Sequence, residues 1–164
     1  MQDPLPQLNV TVRMLTGQEG HLLHDCIPGV LDWPVEERWC AEFFADARHH
    51  MAAAFLEGKI IGVASGFHYV HPDKRPELYV NEVMVAPPYR GGRIGTRLME
   101  CLFEHGRSLE CHVAWLLTEK NNDAARGLYQ RLGGLESADE PVYYSFRLLA
   151  ESRTNTTTPK ESAE

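Results

Sequence analysis

Apolar and polar residues alternate near the start of the chain. Val10, Val12 and Met14 are interleaved with Asn9, Thr11 and Arg13, which predicts a strand over 8–14. Thr16 and Glu19 have the spacing of a capping box, so a helix is expected to follow through about Asp25. A second helix is predicted over 34–45, with Pro34 in its first turn and Trp39, Phe43 and Phe44 as its apolar face. Two strand-like runs, 51–56 and 59–70, are joined at Glu57-Gly58, which reads as a hairpin turn. After the broken stretch 71–76, residues 77–85 resume as a strand. From Gly92 the period lengthens: Ile94, Leu98 and Leu102 recur every four residues, joined by Met99 and Phe103, and Gly106 reads as the stop. A short apolar run over 112–118, a helix over 122–132 ended by Gly133-Gly134, and a strand over 142–149 complete the pattern.

The resulting order, β-α-α-β-β-β-α-β-α-β, holds a central three-strand meander followed by a β-α-β unit. It predicts an α/β fold of the α+β type, a central mixed sheet with helices on both faces. One domain is expected over 8–150, between a flexible segment 1–7 carrying two prolines and a polar tail 151–164. The formal net charge of −7 argues against nucleic acid as the main partner, because backbone phosphates need a basic face. It suits a cationic partner, or serves solubility alone. Cys26, Cys40, Cys101 and Cys111 show no C-x-x-C spacing and read as reduced thiols. No leader-like segment and no apolar run of ~20 residues is present, so a soluble, cytoplasmic protein without membrane contact is expected. Among the eight histidines, His21 and His24 stand three apart but lack a third ligand in pattern, and H-E-x-x-H is absent; no metal site is expected.

The most informative stretch is Tyr89-Arg90-Gly91-Gly92-Arg93-Ile94-Gly95-Thr96, lying between a strand and a helix. Backbone N–H groups and positive charge at one point make a phosphate site. A Walker A loop would end in Gly-Lys-Ser/Thr, which is missing here. A dinucleotide fingerprint needs G-x-G-x-x-G after the first strand of its unit and an acid about 20 residues on, and neither condition is met. Taken alone, the glycines serve equally well for turn geometry.

Neighbouring residues decide between these readings. Arg90 to Gly95 resembles the Arg/Gln-x-x-Gly-x-Gly/Ala pyrophosphate loop of the GCN5-related N-acetyltransferases, and Val83-Met84-Val85-Ala86-Pro87 is similar to that family's strand-to-loop entry. Asn122, Ala125, Leu128, Tyr129 and Gly133 resemble the family's Asn-x-x-Ala-x-x-Leu-Tyr-x-x-x-Gly helix. One departure stands out: Arg93 occupies the place of the loop's usual first glycine, with glycines at 91 and 92 instead. Within the superfamily the chain looks most like the aminoglycoside 3-N-acetyltransferase group. This rests on 71–76, on Tyr79-Val80-Asn81-Glu82-Val83, on 128–134 and on Glu140-Pro141-Val142-Tyr143-Tyr144-Ser145-Phe146.

The resemblance implies an acyl-CoA N-acyltransferase fold and acetyl-CoA as co-substrate. Arg90, Gly91, Gly92, Arg93, Ile94, Gly95 and Thr96 would hold its pyrophosphate, Val83, Met84 and Val85 its pantetheine arm, and Asn122 would bond to it or cap its own helix. Glu82 is the expected general base and Tyr129 the general acid that protonates the departing thiolate and meets the cofactor. The expected reaction is direct acetylation, in a ternary complex, of an aminoglycoside amine at the 3-position, with antibiotic resistance as its use. Several ammonium groups would call for several carboxylates, for which Glu82, Glu119, Asp123 and Glu140 are candidates, with Asp46 and Asp73 further off. Any one of them is as readily a solvated surface acid. A polyamine, another small amine or a peptide amine are alternative acceptors, and a non-catalytic acyl-CoA-binding module is the alternative of another class. The family also implies a homodimer.

Overall fold

A computed structural model describes residues 9–138, 144–146 and 148. They fall into two units, Met1–Gly134 and Leu135–Glu164. The described residues of the second unit form no helix or strand. The expected segments 1–7 and 151–164, and the expected last strand apart from 144–146 and 148, lie outside the described residues.

The first unit carries β1 (Thr11–Met14), a 3-10 turn (Gly20–Asp25), α1 (Glu37–Ala45), β2 (His49–Leu56), β3 (Lys59–Tyr69), β4 (Glu77–Val85), a second 3-10 turn (Pro87–Tyr89), α2 (Ile94–Ser108), β5 (Val113–Trp115) and α3 (Asp123–Arg131). The sheet runs β1-β2-β3-β4-β5. Its first four strands are antiparallel and β5 joins parallel to β4. The mixed sheet with helices on both faces is therefore present. On one face Ala52, Ala54, Ala64, Leu78 and Val80 pack against the Ile94, Leu98, Met99 and Leu102 stripe of α2. On the other, Met51, Ala53, Ile60 and Val63 pack with Leu15, Leu23, Val30 and the two phenylalanines of α1. Both faces of β2 and β3 are covered, which is why they read as near-continuous apolar runs. Each fully buried large side chain of the α2 stripe contributes roughly 1.5–3 kcal/mol. No helix among the described residues is long and apolar enough to cross a membrane.

Local signals account for most boundaries. Thr16 donates to Glu19 Oε2 from its N–H at 2.9 Å, the half of the capping box that is present; its hydroxyl donates there too, at 2.9 Å, and the Glu19 N–H goes instead to the Thr16 carbonyl at 3.0 Å. The turn it starts is 3-10, however, and Arg13 grips both Glu19 oxygens at 2.6 and 2.9 Å, holding that carboxyl down to about 2. Glu57 (φ 50°) and Gly58 (φ 79°) make the hairpin turn.

Three expectations are corrected. α1 starts at Glu37, leaving Pro34 ahead of the helix, and Trp39 is 52% exposed beneath the Arg38 guanidinium instead of facing the core. Gly106 does not stop α2; it lies buried inside the helix, where a Cβ would stand 3.0 Å from Leu78 Cδ2, so its role is close packing. β5 is only three residues long.

Two features have no cue in local sequence. Ser65 pairs with Glu82 and Gly66 with Val80, so Asn81 is an extra, bulged residue in β4. A Cβ on Gly66 would collide with the Tyr79 carbonyl oxygen, so the bulge requires glycine opposite it. Elsewhere, buried His50 bridges two imidazoles, with Nε2 2.8 Å from His68 Nδ1 and Nδ1 2.9 Å from His105 Nε2, tying β2, β3 and α2 together. Burial pushes His50 down to about 4 and lowers His105 as well.

Gly66→Ala is expected to destabilise the protein by about 1–3 kcal/mol in urea unfolding, because backbone must shift to admit the methyl group. His50 is neutral in the folded protein well below the usual imidazole value, so its stabilisation is present above about 6.5 and is lost as pH falls towards 4. Unfolding free energy measured across that window should decline, and His50→Phe should flatten the decline.

Candidate functional site

The parallel pairing of β4 with β5 is confined to Glu77–Val113, Leu78–Ala114 and Tyr79–Trp115. Beyond Tyr79, no strand among the described residues pairs with that edge of β4, so the sheet opens alongside 80–85 and leaves extended backbone accessible. β4 ends where the Ala86 N–H donates to the Ile61 carbonyl at 2.9 Å, and Arg90 Nε returns to the Val85 carbonyl at 2.9 Å. The glycine-rich turn is thereby pinned to the open end of β4.

In the turn, Gly91 takes φ 81°, and a Cβ built on it would meet nothing within 4 Å, so the loop faces open space. Arg93 is the N-cap of α2 and adopts the left-handed conformation at φ 59°, ψ 14°, which a non-glycine residue occupies at a cost of about 1–2 kcal/mol. The expected departure from the loop pattern is thus a strained position carrying an exposed guanidinium. Among the described residues, the N–H groups of 91–96 make no backbone hydrogen bond, and no side chain caps the helix. These donors and the positive end of α2 converge on one exposed spot flanked by Arg90 and Arg93, which fits a diphosphate. Arg97, one turn on, is used differently: its guanidinium donates to the Val10 carbonyl at 2.8 Å.

Gly95 lets α3 sit on the first turn of α2, since its Cβ would be 3.3 Å from Leu128 Cδ2. Leu128 and Tyr129 join Val83, Val85 and Tyr89 in one apolar cluster on the α2 face of the sheet. Tyr129 is half-buried, and burial pushes its phenol above the usual value. Asn122 caps α3, its Oδ1 accepting from the Ala125 N–H at 3.1 Å.

Glu82 points the other way. Beyond the bulge, Val83 and Val85 pack on the α2 side and Met84 on the α1 side, so Glu82 shares the α1 face with Met84 and is exposed. Glu82 and Tyr129, the expected base and acid, therefore belong to opposite faces of the sheet.

The other expected acids that are described are exposed or already paired. Glu119 is exposed in the loop after β5, and Asp123, 93% exposed, lies 3.9 Å from Arg126. Asp46 is bound by Arg48 at 2.6 Å, Asp73 is exposed, and Glu140 lies outside the described residues.

Sequence reasoning missed a row of rings on the α1 face. From Phe43 the row passes through His49 (5.0 Å between centroids), Phe67 (6.1 Å) and Tyr79 (5.3 Å) to Trp115 (4.7 Å). The available signal was the two-residue spacing of Phe67 and Tyr69, which places both on one face of β3.

A family model described as the Acetyltransferase (GNAT) family matches residues 20–134, well over half of the 164-residue chain. The chain belongs to the acetyltransferase (GNAT) family. Mycothiol acetyltransferase of Paenarthrobacter aurescens (strain TC1) is 32% identical over 108 residues, covering 63% of this GNAT chain and 32% of the relative. This chain thus spans about a third of that curated relative's length. Solved structures share the fold. The aminoglycoside acetyltransferase meta-AAC0020, from an uncultured soil metagenomic sample and in complex with trehalose, has a TM-score of 0.74 at 14% identity, covering 84% of this chain and 97% of that one. AAC(6')-Iy in complex with the bisubstrate analogue CoA-S-monomethyl-acetylneamine has a TM-score of 0.71 at 17% identity, covering 85% and 99%.

Arg93→Gly is expected to relieve the left-handed strain and raise stability by up to about 1 kcal/mol, partly offset by the greater freedom of glycine in the unfolded chain. Thermal unfolding should show a midpoint higher by up to a few degrees.

Proposed function

We propose that this chain is an acetyl-CoA-dependent N-acetyltransferase that acetylates a primary amine of a small molecule by direct transfer in a ternary complex. The observation that carries this reading is the continuity of an open N–H array at the start of α2 with the edge of β4 that no described strand pairs beyond Tyr79. In this reading, residues 90–96 hold the pyrophosphate of the co-substrate, with Arg93 adding a charge-assisted contact. The backbone of Val83, Met84 and Val85 holds the pantetheine arm by strand addition, and an edge N–H polarises the thioester carbonyl. Asn122 holds α3 in place through its cap and keeps its side-chain amide for the cofactor.

Glu82 binds the incoming ammonium and takes its proton, directly or through one water, leaving a neutral nitrogen to attack the thioester carbon. The C–N bond forms as the C–S bond breaks; Tyr129 gives its hydroxyl proton to the departing thiolate, the nitrogen sheds its second proton to water, and exchange with water resets Glu82 and Tyr129. Burial favours the neutral phenol, so Tyr129 stays a competent donor throughout the neutral range.

The finer reading of the acceptor as an aminoglycoside draws support from the two aminoglycoside-related neighbours, whose low identity speaks to the fold. For the 3-amino group the support is motif resemblance alone, and the neighbour above whose designation carries a position is of the 6' type. Glu119, Asp123 and Glu140 remain candidate acceptor contacts only in this polycation reading.

Glu82→Gln is expected to lower kcat by about 10²–10⁴-fold while calorimetric affinity for acetyl-CoA stays unchanged. Full activity in that variant would remove Glu82 from the base role. A coenzyme-binding module without catalysis would instead bind and show no wild-type turnover of any amine. Tyr129→Phe should cut kcat by about 10²-fold. It should also abolish a high-pH decline in rate, which for wild type lies above about 10 because the phenol is raised and donates only while protonated.

A further inference from the structure

The chemistry above makes no use of the aromatic row, yet the row ends at the reaction edge. Tyr79–Trp115 is the last pair joining β4 to β5 before the sheet opens. Glu82 follows on the same face because the bulge at Asn81 reverses the alternation. With one of the intervening residues bulged out, Glu82 stands roughly 7 Å along the strand from Tyr79.

We propose that Phe67, Tyr79 and Trp115 form the floor on which the acceptor lies, and that this acceptor is an amine carried on a ring whose apolar face stacks there while its ammonium reaches Glu82. The inference rests on the N-acetyltransferase reading and names the class of acceptor within it.

Exposure, rigidity and charge carry it. None of the three rings belongs to either apolar core; Phe67 and Tyr79 are partly exposed and Trp115 is 40% exposed. Trp115 is anchored from the side: its Nε1 donates to the Tyr69 hydroxyl at 2.8 Å, and Tyr69 donates to Glu77 at 2.6 Å. Its ring is therefore held in place while part of it stays exposed, as a stacking surface requires. A single ammonium suits the charges on this side. Lys74 and Tyr69 already engage Glu77, whereas Glu82 has no ion pair among the described residues. An ammonium at the rim also gains from the rings' negative faces. A ring-borne amine offers these rings a face and Glu82 a single ammonium, whereas a linear polyamine offers no face to stack.

The C–H face of an amino sugar and the face of an aryl ring share this chemistry, and the test separates them. Thiol release from acetyl-CoA is measured with glucosamine and kanamycin as amino sugars, tyramine and phenethylamine as aryl amines, and hexylamine and spermidine as linear controls. Wild type, Trp115→Ala and Trp115→Phe are compared. The expected result is a kcat/KM for one ring class at least tenfold above both linear amines. Trp115→Ala should raise KM for that class by about three- to tenfold, leave kcat within about twofold and leave the KM for acetyl-CoA unchanged, and Trp115→Phe should recover most of the loss. Preference for sugars or for aryl amines identifies the source of the ring. Equal use of linear and ring amines, or an unchanged KM in Trp115→Ala, overturns the stacking floor while leaving the transferase reading intact. Absence of turnover with every amine, despite acetyl-CoA binding, overturns both.

Discussion

The bulge at Asn81, made room for by Gly66 against the Tyr79 carbonyl, reverses the in-and-out alternation of β4 part-way along its length. In an unbroken strand, Glu82 would share a face with Leu78 and Val80 and point a carboxylate into the apolar layer under α2. With the extra residue, Glu82 joins Tyr79 on the opposite face, and Val83 and Val85 turn into the α2 layer where Tyr129 also packs. One glycine without a side chain thus sets the direction of Glu82, the apolar seat of Val83 and Val85 and the course of the exposed edge of β4.

That arrangement shows why some of the molecule was legible in the sequence and some was not. β4 was found at its observed limits because its apolar residues dominate whichever way they point. The α2 stripe was found because Ile94, Leu98 and Leu102 repeat at helical spacing and bury completely. The bulge was invisible, since Asn81 and Gly66 carry no local mark and meet only through pairing. Gly106 looked like a stop because a buried packing glycine and a terminal glycine are the same letter until Leu78 is placed against it. The glycine-rich turn was legible as a motif, being contiguous. The ring row was not, being spread over α1 and four strands.

Both ends of α2 are fastened, by different chemistry. At its start, Arg97 holds the Val10 carbonyl and Gly95 admits α3. Near its end, the His68–His50–His105 chain ties it to β2 and β3. Open backbone donors at a helix start are costly to arrange if the helix can swing, and fastening both ends fixes where those N–H groups point. The left-handed Arg93 fits the same picture, as local strain tolerated because the surrounding packing determines the turn.

The separation of the two faces bears on how this molecule can change over generations. Loop 90–96, the α2 stripe and α3 lie on one side of the sheet, and Phe67, Tyr79 and Trp115 lie on the other, outside both apolar cores. Substitutions at 67, 79 and 115 can therefore accumulate without touching the residues that hold the fold together or those that present the open turn. A lineage with this layout can change the surface on the α1 side in small viable steps, so relatives with one fold would diverge sooner there than along the turn and the α2 stripe.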